Sequence, residues 1–155
     1  MDDKRNRVVA IPAPGEGKRG ESGHIGYLLR QAGGVFRARM DETLSEIGGT
    51  TPQFVILTMI ANYPGASGAD LARLCLLTPQ TVSLIVANLK RAGAVASRPH
   101  PLHGRVKQLE ITHKGLALLA RCAPTVAALE QRLEAGLDAD EARIVRKWLV
   151  AAARI

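Results

Sequence analysis

Two short amphipathic segments in the middle of the chain are joined by only three residues, 76–78. The first segment opens with Ser67 and Asp70, which have the spacing of a helix-capping box with Asp in place of the usual Glu. The second opens with Thr78-Pro79, an N-cap residue followed by the proline that a first helical turn accepts, and Gly93 ends it. Two short helices joined this tightly predict a helix-turn-helix.

Two β-strand patterns follow directly, at Val95–Arg98 and Val106–Ile111. The segment between them, residues 99–105, contains two prolines, two histidines and a glycine, and is therefore predicted to be a loop. The pair predicts a hairpin that carries several basic side chains. A basic hairpin placed directly after a helix-turn-helix is typical of a wing.

Helical patterns lie on both sides of this unit. Apolar residues recur three, four and seven apart over residues 22–47, and Thr51 begins a second helix. After the hairpin, Thr112 begins a long helix that Pro124 is expected to bend, because proline removes one backbone hydrogen bond. Asp138 begins the last helix, whose apolar residues are expected to face inward: Ile144, Val145, Trp148, Leu149 and Ala152.

The predicted fold class is mainly α with a small β-hairpin wing. At 155 residues the chain has the usual size of one domain, and its 3% aromatic content predicts an aliphatic core. Residues 1–21 are polar and rich in Gly and Pro, so we expect a flexible tail. Residues 22–155 are predicted as a single domain, with a winged helix-turn-helix at 50–112 and further helices at 22–48 and 113–155.

The positive charge is concentrated in the middle of the chain. The formal net charge is +7, and the 39 residues from Leu71 to Leu109 contain six Lys or Arg residues and no Asp or Glu. A basic segment of this kind, next to a helix-turn-helix, indicates a polyanionic partner such as nucleic acid. A solvated basic surface without a partner is the alternative.

Composition also predicts the compartment. No stretch approaches the length of apolar residues that spans a bilayer, and the first twenty residues contain no apolar segment of a secretory signal. Two cysteines, Cys75 and Cys122, are too few for a disulfide framework. We therefore expect a cytoplasmic protein with reduced thiols and no membrane partner.

Seven short motifs follow one another in register along the chain: Thr51-Pro52-Gln53-Phe54, Asp70-Leu71-Ala72, Thr81-Val82-Ser83, Leu89–Gly93, Arg98, Arg105 and Leu109–Gly115. With the order of helices, hairpin and helices, they resemble the MarR family of winged helix-turn-helix transcriptional regulators, over about residues 24–155. The resemblance implies a homodimer that is joined by the first helix and the last two. It also implies a near-palindromic operator in double-stranded DNA and, in many members, release by a small aromatic or phenolic ligand.

The sequence departs from this family at two places. The wing reads His103-Gly104-Arg105 where the family usually has Asp, one residue and Arg, so the carboxylate that would orient Arg105 is missing. Leu84 is apolar at a position that is often charged in the family. We therefore expect a limited base code that is supported by DNA shape.

The second helix of the helix-turn-helix is the predicted recognition helix. If its apolar residues 82, 85, 86 and 89 face inward, Gln80 is available for adenine, while Leu84 and Ala87 can contact thymine methyl groups. Basic side chains outside this helix are candidates for the phosphates and the minor groove. The complete set of predicted DNA-binding residues is Arg73, Thr78, Gln80, Thr81, Ser83, Leu84, Ala87, Arg98, His103, Arg105 and Lys107.

Other functions have weaker signals. Tyr27 and Arg30 on the first helix are candidates for an aromatic carboxylate, although an arginine there also fits an inter-subunit salt bridge. His100, His103 and His113 lack the cysteine or carboxylate partners of a structural zinc site, so we expect no metal and no cofactor. No catalytic motif is present, so we expect no enzyme. The alternatives are a winged-helix module that binds protein and a regulator that senses oxidation through Cys75 or Cys122.

Overall fold

A computed structural model describes residues 10–99 and 107–154, which divide into two compact units, one ending at Ala38 and the other beginning at Arg39. The predicted fold class, helical with one small hairpin, is confirmed. A short 3₁₀ helix, Gly17–Arg19, precedes the main elements. These are α1 (Ile25–Glu46), α2 (Thr51–Asn62), α3 (Gly68–Cys75), α4 (Pro79–Arg91), β1 (Val95–Pro99), β2 (Lys107–Ile111), α5 (His113–Glu134) and α6 (Ala139–Ala152).

The helix-turn-helix consists of α3 and α4, whose axes bend by 114° across the turn. The predicted capping box is present, because Ser67 Oγ accepts a hydrogen bond from the N–H of Asp70 at 3.2 Å, and Asp70 Oδ2 accepts one from the N–H of Ser67 at 2.9 Å. Thr78 Oγ1 caps α4 by accepting from the N–H of Thr81 at 3.2 Å. These caps fix the starts of both helices at the positions that the sequence predicts.

Strand β2 forms hydrogen bonds along both of its edges. One edge pairs with β1 in an antiparallel register that sets Arg98 opposite Gln108 and Val95 opposite Ile111. At the other edge, the N–H of Leu109 donates to the carbonyl of Ala66 at 3.0 Å, in the loop before α3. The root of the hairpin is therefore tied to the start of the helix-turn-helix.

The core of the winged unit is aliphatic, as the composition predicts. Leu71 of α3 and Val82 and Leu89 of α4 are at most 1% exposed, and they lie in one cluster with buried residues of α2 and of both strands. Each fully buried Val, Leu or Ile side chain in this cluster contributes on the order of 1.5–3 kcal/mol to stability. The cluster also contains Ile56, Leu57, Ile60, Ala66, Ala72, Val86, Ala94, Val95 and Leu109.

The prediction that the apolar residues of the last helix face inward is wrong for the single chain. Val145, Trp148 and Leu149 are 40–42% exposed and Ile144 is 60% exposed, while Ala142 is the buried residue of α6. The helical period identifies the apolar face correctly but contains no information about what covers it. In α1, likewise, Ile25, Leu29 and Val35 are exposed, and Met40 and Leu44 are the buried residues.

The segment before α1 contains local order where a flexible tail is predicted. Arg19 Nη1 donates to the carbonyl of Pro12 at 2.7 Å, and Ser22 Oγ donates to the carbonyl of Gly17 at 2.8 Å. The helix itself begins at Ile25, three residues later than the sequence pattern predicts. The domain boundary at residue 22 stays a prediction.

Leu76, in the turn of the helix-turn-helix, should be replaceable by glycine with a gain in stability. Its φ of 52° is left-handed, which costs a residue with a side chain about 1–2 kcal/mol, and its side chain is 93% exposed. Glycine loses about 0.5–1 kcal/mol more backbone entropy on folding. We expect Leu76→Gly to raise the free energy of unfolding by up to about 1 kcal/mol in urea denaturation.

Gly48 provides the opposite substitution as a control. It also has a left-handed φ, of 73°, and a methyl group at its Cα would meet no atom within 4 Å. Gly48→Ala should therefore lower the free energy of unfolding by about 1 kcal/mol through backbone strain alone. A lower stability of Leu76→Gly would contradict the proposed strain at Leu76.

Candidate nucleic-acid interface

The outward face of α4 is the central part of the candidate interface. Gln80, Ser83 and Ala87 are exposed, and Leu84 is 64% exposed, whereas Val82 on the opposite face is 1% exposed. The helix therefore buries one stripe and offers the other to solvent, with the orientation that the sequence predicts. A polar amide, a hydroxyl and two small apolar groups on one exposed face are the chemistry that can contact base edges in a major groove.

Two of the predicted DNA-binding residues already have a structural role. The hydroxyls of Thr78 and Thr81 lie 2.8 Å apart, and Thr78 Oγ1 is also the N-cap acceptor of α4. Both side chains remain exposed at the start of the helix. Their first role is to hold the N-terminus of α4, where the backbone N–H groups attract an anion.

Arg73 lies on the exposed side of α3 in an ion pair with Asp70. Arg73 Nη2 is 2.5 Å from Asp70 Oδ1, and the arginine side chain is 78% exposed. The hydrogen bonds from the Ser67 hydroxyl and backbone, followed by that from Arg73, lower the pKa of Asp70 to about 2. One carboxylate thus caps α3 and holds the candidate phosphate-binding arginine at the same time.

Arg98 on the hairpin likewise forms an ion pair with a carboxylate, that of Glu110. Its Nε lies 2.9 Å from Oε2 of Glu110, and its side chain is 73% exposed. Lys107 is exposed at the next position of the register, opposite Pro99. The predictions for His103 and Arg105 fall on residues 100–106, which lie outside the described residues.

Sequence reasoning missed the two carboxylates that hold these arginines. Asp70 and Glu110 are the acidic residues that immediately flank the acid-free segment, and each pairs with an arginine inside it. Asp70 lies three residues before Arg73 on a predicted helix, and this spacing favours an ion pair. The pair of Asp70 and Arg73 was therefore predictable from the sequence. Glu110 was not predictable in the same way, because its pairing depends on the strand register.

The candidate effector residues lie together on α1. The guanidinium carbon of Arg30 is 5.6 Å from the centre of the Tyr27 ring, one helical turn away, in a cation–π contact. An open groove of about 560 Å³ lies between the C-terminal half of α1 and α5, and its volume is in the range of small-molecule sites. Its lining residues are Arg39, Glu42, Thr43, Glu46, Pro124, Thr125, Ala128, Leu129 and Arg132.

The thiols have the environment of packed core side chains. Cys122 is buried and Cys75 is half-buried, and burial raises the pKa of both thiols; Arg121 partly opposes this effect at Cys122. A raised pKa disfavours the thiolate, which is the species that reacts with oxidants. This environment gives no support to oxidation sensing.

The part of the chain that the structure describes offers neither a metal cluster nor a membrane-spanning helix. Within residues 10–99 and 107–154, no three His, Cys, Asp or Glu side chains are grouped so that they can hold a metal ion. Among the same residues, no single helix is long and apolar enough to cross a membrane, and α3 and α4 reach that length only when added together across their 114° bend.

Comparisons with known proteins agree with this geometry. A sequence profile of the MarR family matches residues 47–106. The chain is 38% identical over 125 residues to the HTH-type transcriptional repressor Rv2887 of Mycobacterium tuberculosis, covering 81% of this chain and 90% of the relative. The crystal structure of Rv2887 in complex with DNA superposes with a TM-score of 0.67 at 36% identity, covering 84% of this chain and 98% of that one. Its complex with salicylic acid gives the same TM-score and identity, over 85% and 98% of the two chains.

Asp70→Asn should destabilise the protein in a pH-dependent manner. The ionised carboxylate is favoured by folding, since its pKa falls from 3.8 to about 2, so its stabilisation is fully present above pH 3.8 and is lost as the pH falls through about 2. We expect the substitution to lower the free energy of unfolding by about 1 kcal/mol at pH 7. In denaturant titrations at a series of pH values, the difference from wild type should shrink below about pH 4.

Asp140→Asn is the matched control for this measurement. Asp140 forms an ion pair with Arg143 at the same spacing of three residues, on the exposed surface of α6. Because exposed pairs contribute little, this variant should change the stability at pH 7 by less than Asp70→Asn does. A difference between wild type and Asp70→Asn that stays constant as the pH is lowered would rule out the role assigned to the carboxylate.

Proposed function

Because the chain belongs to the MarR family of transcriptional regulators, we propose that it is a repressor that binds a near-palindromic operator in double-stranded DNA. The observation that carries this proposal is the exposed face of α4, which lies in a segment without acidic residues and ends beside a basic hairpin. None of the 39 residues in this segment carries a carboxylate that would repel phosphate. The DNA complex of Rv2887 supports the proposal, since that relative shares 36% of its residues with this chain.

In the proposed complex α4 lies in the major groove. Gln80 and Ser83 contact base edges, and Leu84 and Ala87 contact thymine methyl groups. Thr78 and Thr81 present the N-terminus of α4 to a phosphate. The basic side chains Arg73, Arg98, His103, Arg105 and Lys107 contact the phosphates or, from the wing, the minor groove.

The proposed active form is a homodimer. The exposed apolar stripe of α6 contains Val145, Trp148 and Leu149, and the exposed apolar residues of α1 include Ile25 and Leu29. Exposed apolar residues along a helix are unfavourable in water and mark an interface. A second copy covers them in our proposal, and two copies place two recognition helices on the two half-sites of a palindrome.

The proposed effector is a small aromatic acid that releases the operator. Rv2887 has been crystallised with salicylic acid, and this chain carries an arginine stacked on a tyrosine in α1. A guanidinium pairs with a carboxylate in bidentate geometry, while a tyrosine ring can contact an aromatic ligand. Tyr27 and Arg30 are therefore the proposed effector-binding residues.

DNA binding should be strongly dependent on salt. Two lobes that each offer several basic side chains can neutralise about six to ten phosphates, which costs about a thousandfold or more in affinity between about 50 and 200 mM salt. We expect this slope for the wild-type protein on a duplex of roughly 30 base pairs, long enough for two half-sites one helical turn apart. Fluorescence anisotropy at a series of salt concentrations measures it.

Two variants test whether the slope arises from the proposed surface. Lys107→Gln should lower the slope by about one for each phosphate that this lysine neutralises. Arg121→Gln removes the same charge from the exposed side of α5 and should leave the slope unchanged. A flat titration of the wild type would instead favour the protein-binding module that the sequence left open.

Trp148→Asp should separate the dimer. Trp148 is 41% exposed in the single chain and would be covered in the proposed dimer, where a carboxylate in a buried apolar interface is strongly unfavourable. We expect the dimer dissociation constant to rise at least about a hundredfold in sedimentation velocity experiments. Lys147→Asp, at the neighbouring exposed position, should leave the dimer in place. A Trp148→Asp protein that sediments as wild-type dimer would show that α6 is not the interface.

A further inference from the structure

Arg98 and Glu110 lie on the same outward face of the hairpin. The register sets Arg98 opposite Gln108, and Ala96 opposite Glu110, so the arginine and the glutamate are diagonal neighbours across the two strands. Long side chains reach each other across such a diagonal, and here Nε and Oε2 are 2.9 Å apart. Both side chains are accessible to a partner, at 73% and 39% exposure.

The strand that carries Glu110 has a fixed position. Its neighbour Leu109 points to the other face of the hairpin and is 4% exposed. Val95 of β1 is 3% exposed and belongs to the same core cluster as Leu109. The N–H of Leu109 donates to the carbonyl of Ala66, and Gln108 forms a β-bridge with Ser67. The carboxylate therefore projects from a backbone that is held by the core and by the loop before α3.

The contact uses one particular part of the guanidinium. Glu110 lies against Nε of Arg98, and the four N–H donors of the two terminal amino groups are not needed for this ion pair. A terminal pair of amino groups is the part of arginine that recognises phosphate. Holding a long side chain in one orientation before binding removes the entropic cost of ordering that side chain during association.

We propose that Glu110 is a positioning residue for DNA binding, which orients Arg98 so that its terminal amino groups contact a phosphate of the duplex. The inference rests on the proposed function and assigns to it a carboxylate that sequence reasoning did not find. Arg98 contacts the DNA, and Glu110 acts only through Arg98.

A positioning role and simple charge repulsion predict opposite changes in DNA affinity when the charge of Glu110 is removed. A carboxylate near the DNA repels phosphate, so removal of its charge should strengthen binding if Glu110 has no other role. If Glu110 orients Arg98, removal of its charge should weaken binding, because the arginine must then be ordered during association. The direction of the change in affinity therefore separates the two explanations.

The experiment compares Glu110→Gln, Arg98→Ala and the double variant in the full-length chain. The probe is a random-sequence duplex of roughly 30 base pairs at one fixed, low salt concentration, because phosphate contacts require no particular sequence. We expect Glu110→Gln to weaken binding by about two- to fivefold, the range of an exposed ion pair. In the Arg98→Ala background the same substitution should cause no loss, or a small gain.

Two further measurements exclude a merely structural role. Asp140→Asn removes the same charge from the exposed Asp140–Arg143 pair of α6 and should leave the affinity unchanged. The thermal unfolding midpoints of Glu110→Gln and wild type should agree, because a loss of fold would lower both stability and affinity. Salt titrations should give Arg98→Ala a slope lower by about one for each phosphate that the arginine neutralises.

Three results would overturn the inference. These are stronger or unchanged DNA binding by Glu110→Gln, an equal loss from this substitution in the Arg98→Ala background, and an Arg98→Ala variant that binds as wild type does. Each of them leaves the proposed function intact as long as wild type binds the duplex with a steep salt dependence. A wild-type protein that binds no duplex at low salt would refute both.

Discussion

The burial of one stripe of α4 determines the rest of the candidate site. Val82 and Leu89 are 1% exposed, and they pack with Leu71 of α3 and with the strands of the hairpin. Because side chains on a helix have a fixed angular spacing, the burial of this stripe turns Gln80 and Leu84 outward. Truncation of one such buried leucine typically lowers the free energy of unfolding by about 2–5 kcal/mol. The same packing that stabilises the core therefore also fixes the orientation of the recognition face.

The electrostatics of the site depend on two acidic residues at the ends of a basic segment. Asp70 and Glu110 flank the 39 residues that lack acidic side chains, and each pairs with an arginine inside this segment. The two pairs orient Arg73 on α3 and Arg98 on β1 without placing a carboxylate on the exposed face of α4. Exposed pairs of this kind add little to stability, so their contribution concerns the orientation of the arginines.

The last helix, unlike the winged unit, leaves most of its large apolar side chains exposed in the single chain. The buried residue of α6 is Ala142, and its larger apolar side chains are exposed in the single chain. An apolar stripe on a helix is stable only when something covers it. The winged unit contains its own aliphatic core, whereas the apolar stripe of α6 is exposed in the single chain, and this exposure is the basis of the proposed dimer interface.

The sequence by itself determined the local elements and the exposed face of α4. Caps, prolines and glycines act within a few residues, so the starts of α3, α4, α5 and α6, the turn at residues 76–78 and the two strands were predictable, and the outward position of Gln80 followed from the helical period. Only the tertiary structure decided that Glu110 meets Arg98, that Leu109 pairs with Ala66, and that Val145, Trp148 and Leu149 are exposed. These depend on strand register and on the packing of distant segments, and the spacing of residues along a chain does not specify either one.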